Sequence, residues 1–398
     1  MVDRLDETLG GPDVAAQARY KTAFWRSLHY QLLAASFDHP AVMLQMTPYL
    51  SQMPLRYWSR LLLLASASFV GQPLWFAERL RYGRRIIQTQ IDRSPIFIIG
   101  HWRSGTTHLH NLFSQDPSLG FVTNSQALAP GFSLIGGTWL KRLLSLALPQ
   151  RRPMDNMALP IDWPQEEEIA LAKTTAYSYY AQLRFPPQAY DFLTKHVLAA
   201  SPSKSIAMEV RKKYLHILKV ATVHAGGRRL VLKNPINSAR IPMLLELFPD
   251  AKFIHIHRSP YQVYSSMRHM ADKIIGWYAL QPQDETHITE HVLGLYEGLM
   301  RRLFSDRVSI RRDNFAEVAF ADLERDPMGE MARLYETLSL PGFTAAEPML
   351  QSYIASQAHY RRNSFYLPAN ERARVAGQWG FAFAELGYTR EEVQEEEA

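Results

Sequence analysis

The chain has 398 residues, long for one core and short for two average domains, and its 47% hydrophobic and 21% charged side chains exclude a disordered protein. A net charge of +6 with acids and bases interleaved argues against a nucleic-acid partner and suits small anionic ligands. The lack of cysteine excludes disulfides, thiolate catalysis and cysteine-bound zinc.

The opening MVDRLDETLGG lacks the basic-then-apolar pattern of a signal peptide, so the expected location is cytoplasmic, in solution or peripherally on a membrane surface. Residues 1–93 read as helical, rich in Leu, Ala, Arg and aromatics. Their most apolar run is LLLLASASFV, residues 61–70. A bilayer span needs about 20 apolar residues, so no transmembrane helix is expected. The run predicts either a buried helix or one resting on a membrane surface beside Arg56, Arg60, Arg79, Arg81, Arg84 and Arg85.

The β-branched run PIFIIG, residues 95–100, predicts a buried parallel strand, and a helical pattern follows through Phe113. DPSLGFVT predicts a turn and a second strand ending near Thr123. RLVLK (229–233) and KFIHIH (252–257) predict the third and fourth, with a helix from Tyr261 to about Ala271. FAEVAFADL (315–323) predicts a fifth strand before a helix over 328–338. Strands alternating with helices argue for a three-layer α/β fold around a central parallel sheet of about five strands. An insertion at about 127–227 is too long for a loop and must carry its own helices. The expected division is a helical N-terminal segment over 1–93, an α/β domain over 94–345, and a C-terminal segment over 346–398 with an acidic tail.

In FIIGHWRSGTTHL, Gly100 and Gly105 keep the bracket of a GxxxxGK[ST] phosphate loop, but Thr106 stands at the lysine position. Between a strand and a helix, the N–H groups of residues 103–107 and the helix N-terminus would face an anion. Arg103 adds a cation, and Thr106 and Thr107 add hydroxyls. Without the lysine the loop suits one or two charges rather than a triphosphate. The alternative is that it only punctuates the fold. Farther on, RSPYQVYSS places Arg258 just past the fourth strand and Ser266 eight residues later. Ligands of open α/β sheets bind outside the strand ends, so this motif would share a crevice with the first loop. Alternatively, Arg258 makes only a local salt bridge and Ser266 is helix surface.

With both motifs in order, the chain resembles the PAPS-dependent sulfotransferases of the bacterial and carbohydrate-type branch, over roughly residues 94–340. The resemblance extends through LVLKNPINSARIPMLLELFPDAKFIHIHRSP and VAFADLERDP. It implies a P-loop-type fold and PAPS (3′-phosphoadenosine-5′-phosphosulfate) as co-substrate. Arg103, Ser104, Gly105, Thr106 and Thr107 would hold its 5′ end, and Arg258 and Ser266 its 3′-phosphate. It implies no metal. His255 and His257 share one face of a strand and read as core or crevice-lining residues before they read as a metal pair. A C-terminal loop over the nucleotide is also implied, with Gly377, Gln378 and Trp379 beside Arg372 or Arg374. Cytosolic members carry tryptophan where this chain has His108.

Sulfuryl transfer needs a base for the acceptor hydroxyl and positive charge at the leaving phosphate. Lys233, at the end of the third strand, matches the family's lysine and is assigned to the leaving group. Its alternative is a solvated strand-end lysine. Where cytosolic relatives place a basic histidine, this chain has Asn234 and Asn237. The remaining acids are in PIDWPQEEEIAL, which resembles an acidic pattern of the related bacterial group, and Glu168 or Glu166 is the expected general base. The alternative is that the glutamates serve only the helix dipole, with Asp162 as N-cap. The apolar stretch APGFSLIGGTWLKRLLSLALP, residues 129–149, surrounds Lys141 and Arg142. With residues 61–70 it points to a hydroxyl-bearing lipid or other hydrophobic acceptor, reached from a membrane surface. The competing functions are a P-loop kinase or ATPase, and a non-catalytic nucleotide-binding module on a membrane.

Overall fold

The computed structural model describes residues 37–91, 93–149, 157–199, 203–282, 285–358 and 365–390. Strands β1 (Ile96–Ile99), β2 (Leu119–Gly120), β3 (Arg229–Lys233), β4 (Lys252–His257) and β5 (Phe315–Ala319) form one sheet in the order β2-β3-β1-β4-β5. Every pairing is parallel. The strands read as unbroken apolar runs because both faces are covered. Successive side chains point to opposite faces. Phe97, Ile99, Leu230 and Leu232 join one core, while Ile96, Ile98, Val231 and Ile254 join the other.

The helices fill the outer layers. α1 (Pro40–Leu50), α2 (Trp58–Val70) and α3 (Gln72–Gln88) precede the sheet. α4 (Thr106–Phe113) follows β1 and packs Leu109, Leu112 and Phe113 under it. The long connection from β2 to β3 carries α5 (Asn124–Leu128), α6 (Ser133–Ala147), α7 (Glu167–Ala172), α8 (Tyr179–Gln182), α9 (Pro186–Phe192) and α10 (Lys204–His224). α11 (Ile241–Leu247) leads to β4, followed by α12 (Pro260–Tyr278) and α13 (Glu285–Asp306). After β5 come α14 (Phe320–Arg325), α15 (Pro327–Thr337), α16 (Phe343–Ser356), α17 (Ala369–Gln378) and α18 (Gly380–Leu386).

Three elements depart from expectation. β2 ends at Gly120 because Thr123 caps α5, accepting from the Gln126 N–H while the Gln126 side chain accepts from the Thr123 N–H. β5 is an edge strand that ends at Ala319, where α14 begins. The apolar run 61–70 does not end its helical stretch at ten residues, and only Leu64 and Ser68 within it are buried. Gly71 stays helical, the Leu74 and Trp75 N–H groups donate to its carbonyl, and Pro73 sits in the first turn of α3, where it breaks nothing. The helical stretch Leu55–Gln88 is thus long and apolar enough to cross a membrane by length and composition, with 22% of its apolar window buried.

That stretch is tied to the protein along one side. Leu64, Ser68, Glu78 and Ile86 are buried, and the Ser68 hydroxyl donates to the Asp38 carbonyl at 2.7 Å. Asp38, itself buried, pairs with Arg184 at 2.5 Å and Lys173 at 3.5 Å, so the N-terminal helices are joined to the β2–β3 insertion by charge as well as by apolar packing. At the other end of the chain, Trp379 stacks on Tyr296 at 3.8 Å and donates to the Leu293 carbonyl. It is fully buried, so the Trp379 expected to cover a nucleotide is a core residue instead. The acidic tail lies outside the described residues.

Candidate active site

Three chain segments meet at the carboxyl edge of the sheet: the β1–α4 loop, the end of β3 and the start of α7. Both loop glycines are sterically required. At Gly100 (φ 131) a Cβ would strike the Ile256 carbonyl, and at Gly105 (φ 95) it would enter the Phe320 ring. Between them Arg103 is also left-handed, at φ 67. The turn is held by Gly100 N–H donating to Ser238 Oγ at 2.8 Å and by the Ser104 hydroxyl donating to the His101 carbonyl at 2.8 Å. Thr106 is buried at the first position of α4, and Thr107 is half-buried beside it.

The two anion motifs touch. Arg103 Nε donates to Ser266 Oγ at 2.7 Å, across 163 positions of sequence. Ser266 is buried on α12, one helix surface away from Arg258. The Arg258 guanidinium lies 4.8 Å from the centre of the Phe320 ring and donates to Gln262 Oε1 at 2.9 Å. Phe320 therefore supports both the loop at Gly105 and the second motif at Arg258.

The three glutamates of the insertion have three different roles. Glu166 is the N-cap residue of α7 and makes no side-chain capping bond. Its Oε1 pairs with Lys233 Nζ at the end of β3, and its Oε2 accepts from the Tyr180 hydroxyl. That hydroxyl in turn accepts from Trp102 Nε1 at 2.6 Å, which connects the pair to the β1–α4 loop. Burial, then the Glu166 charge, hold the Tyr180 hydroxyl well above its usual range, so it stays protonated as a donor. Lys233 itself is buried and paired, not a solvated strand end.

Glu167 faces the interior and accepts from Tyr214 and from Asn237 Nδ2, both at 2.7 Å. Burial raises its pKa despite those bonds. Glu168, the other expected base, is fully enclosed: Arg240 Nη1 donates at 2.5 Å, Asn234 Nδ2 at 3.0 Å and the Ser178 hydroxyl at 2.7 Å. Burial alone would push its carboxyl up, but the Arg240 charge and these donors outweigh it and hold the pKa down. Glu168 is therefore ionised, with Arg240 rather than Lys233 as its charge partner. Asp162 is no N-cap either, since it pairs with Lys141 at 2.6 Å on the surface.

Sequence reading missed Trp102, Tyr180, Phe320 and Arg240. For the last a signal existed. Asn234, Asn237 and Arg240 recur every three residues, the period of the 3₁₀ turn Pro235–Ala239, so they share one side and clasp the glutamates. His255 Nδ1 lies 2.6 Å from Glu317 Oε2 and His257 Nδ1 lies 2.9 Å from the Tyr388 hydroxyl, so the two rings have separate partners. Desolvation, then the neighbouring His255, lowers the His257 pKa to about 4. Burial lowers His108 to about 4, so a neutral ring stands at the position tryptophan takes in cytosolic relatives.

Residues 95–345 match the sulfotransferase family profile. The chain is 34% identical over 336 residues to the omega-hydroxy-beta-dihydromenaquinone-9 sulfotransferase Stf3 of Mycobacterium bovis, and equally to that of Mycobacterium tuberculosis, covering 84% of this chain and 85% of theirs. Its fold is like that of sulfotransferase STF9 from Mycobacterium avium, with a TM-score of 0.64, 20% identity and coverage of 83% and 86% of the two chains. Sulfotransferase STF1 from Mycobacterium tuberculosis H37Rv gives a TM-score of 0.60 at 16% identity, covering 83% and 87%. A phosphate-type loop without its lysine, an arginine–serine motif in contact with it and a matching profile across most of the α/β core lead to one conclusion: this chain belongs to the sulfotransferase family.

Proposed function

We propose that the chain takes its sulfuryl group from PAPS and delivers it to a hydroxyl on a lipid or other hydrophobic acceptor. The observation that carries the proposal is the buried Glu166–Lys233 pair beside the β1–α4 loop. The loop suits a 5′-phosphosulfate: Arg103 precedes the N-terminus of α4, whose first residues, Thr106 and Thr107, add hydroxyls and free helix-end amides. Arg258 and Ser266 suit the 3′-phosphate, and the Arg103–Ser266 bond supports a single ligand gripped at both ends. PAPS, when bound, supplies an electrophilic sulfur and departs as PAP.

Glu166 takes the proton as the acceptor O–H bond breaks and the new O–S bond forms. Lys233, paired with that carboxylate, places positive charge where the sulfur–oxygen bond to phosphate is lost. Tyr180 and Trp102 orient Glu166 from the other side. For the acceptor, the mycobacterial relatives act on a hydroxyl-bearing menaquinone derivative, and 34% identity over most of both chains supports a lipid alcohol here. The exposed apolar helices support uptake from a membrane surface.

Incubation of the protein with labelled PAPS and a lipid extract tests this. PAP release with a lipid product heavier by one SO₃ is expected. Calorimetry in which neither PAP nor PAPS binds while magnesium-ATP does would overturn the proposal in favour of a kinase or ATPase.

A further inference from the structure

The stretch Leu55–Gln88 turns its apolar side outward. Leu55, Leu62, Phe69 and Phe76 recur every seven residues, which keeps them on one helical face, and all are at least 63% exposed. Leu80 and Ile87 continue that face along α3, each more than 70% exposed. α6, whose first amides donate to Glu78 of α3, exposes Trp139, Leu143 and Leu146 on its own outer side. Isolated exposed leucines are ordinary in a folded protein, but a stripe along a helix of about 50 Å is not.

The exposed charges carried by the stripe's own helices are of one sign. Residues 55–91 contain six arginines and a single acid, Glu78, which is buried against α6. α6 adds Arg142 and Lys141, the latter paired with Asp162, and has no acid of its own. The opposite side of the stretch is fixed to the protein through Leu64, Ser68, Glu78 and Ile86. A helix held along its whole flank cannot also be surrounded by lipid.

From these observations we infer that α2 and α3, with the adjoining outer face of α6, form an in-plane docking surface for a bilayer bearing anionic headgroups. The apolar stripe enters the headgroup boundary while the arginines meet lipid phosphates. A second copy of the chain is a poor occupant, because a two-fold contact would set six arginines against six. The surface also leads to the site. α5 immediately precedes α6, and its Asn124 Oδ1 accepts from Gln165, the residue before Glu166, at 2.6 Å. The purpose of docking rests on the lipid-acceptor reading; the docking itself does not.

Sedimentation of the full chain with vesicles tests it. Binding to phosphatidylcholine vesicles containing about a third phosphatidylglycerol is expected at low salt, with at least a tenfold weaker partition onto pure phosphatidylcholine or at high salt. The triple variant L62S/F69S/F76S should lose at least tenfold in partition while keeping its melting temperature and PAP affinity. A second variant, R81E/R84E, should lose the preference for anionic vesicles with the stripe intact. Wild-type protein left in the supernatant at low salt would overturn the inference, as would variants that sediment like wild type. So would a dimer that the triple variant converts to monomers. Transfer to a detergent-dispersed acceptor, measured separately, distinguishes loss of docking from failure of the sulfotransfer reading.

Discussion

At the residue scale, Glu166 and Glu168 are chemically identical neighbours, and distant partners separate them. Glu166 has Lys233 and Tyr180; Glu168 has Arg240, Asn234 and Ser178. Glu166→Gln should lower kcat by about 10²–10⁴-fold with little change in PAP affinity, as expected of a general base. Glu168→Gln should instead cost stability, on the order of 3–5 kcal/mol, because it leaves Arg240 buried without its charge partner. Denaturant melts and single-turnover rates on the two proteins check both. Equal loss of rate in folded Glu168→Gln would show that the roles are misassigned. In sequence the glutamates differ only in phase around a helix start, and the residues that choose between them lie about 70 positions away.

The β1–α4 loop is the element whose shape was most readable. Two glycines at the bracket positions after a β-branched run specify a tight strand-to-helix turn. The reason for Gly105 was not readable, since the clashing ring comes from Phe320, just past the edge strand β5. Gly105→Ala should cost about 1–3 kcal/mol and weaken PAP binding. Adding Phe320→Ala removes the clash but not the φ of 95, so recovery should be partial. At α3, burial outweighs the bonds from the Leu134 and Ile135 amides and raises the Glu78 carboxyl to about 7. The folded state therefore binds a proton that the unfolded chain has released between about pH 4.5 and 7. Stability should fall across that window, on the order of 3 kcal/mol. Glu78→Gln keeps an acceptor for both amides and should flatten this dependence. Melting curves at pH 5 and pH 8 give the comparison.

For the whole molecule, the N-terminal helices pack on the β2–β3 insertion, which itself brings Glu166 to Lys233 at the edge of the sheet. Asp38, Arg184 and Lys173 join those two parts by charge. The C-terminal helices belong to the core through Trp379. Trp379→Ala should destabilise the protein by about 3–5 kcal/mol and leave the PAP affinity of the folded fraction unchanged. A selective loss of nucleotide binding would instead restore Trp379 to a covering role.

The local pattern was sufficient for the strands of the sheet and for the glycine-bracketed turn between β1 and α4, because each depends on residues within one turn or strand. The outward direction of the apolar stripe, the partners of each glutamate, the Arg103–Ser266 contact and the burial of Trp379 were decided by packing between segments tens to hundreds of residues apart. Hydrophobicity states that a side chain avoids water, and charge states that it seeks a partner. Neither states which neighbour, or which membrane, will satisfy it.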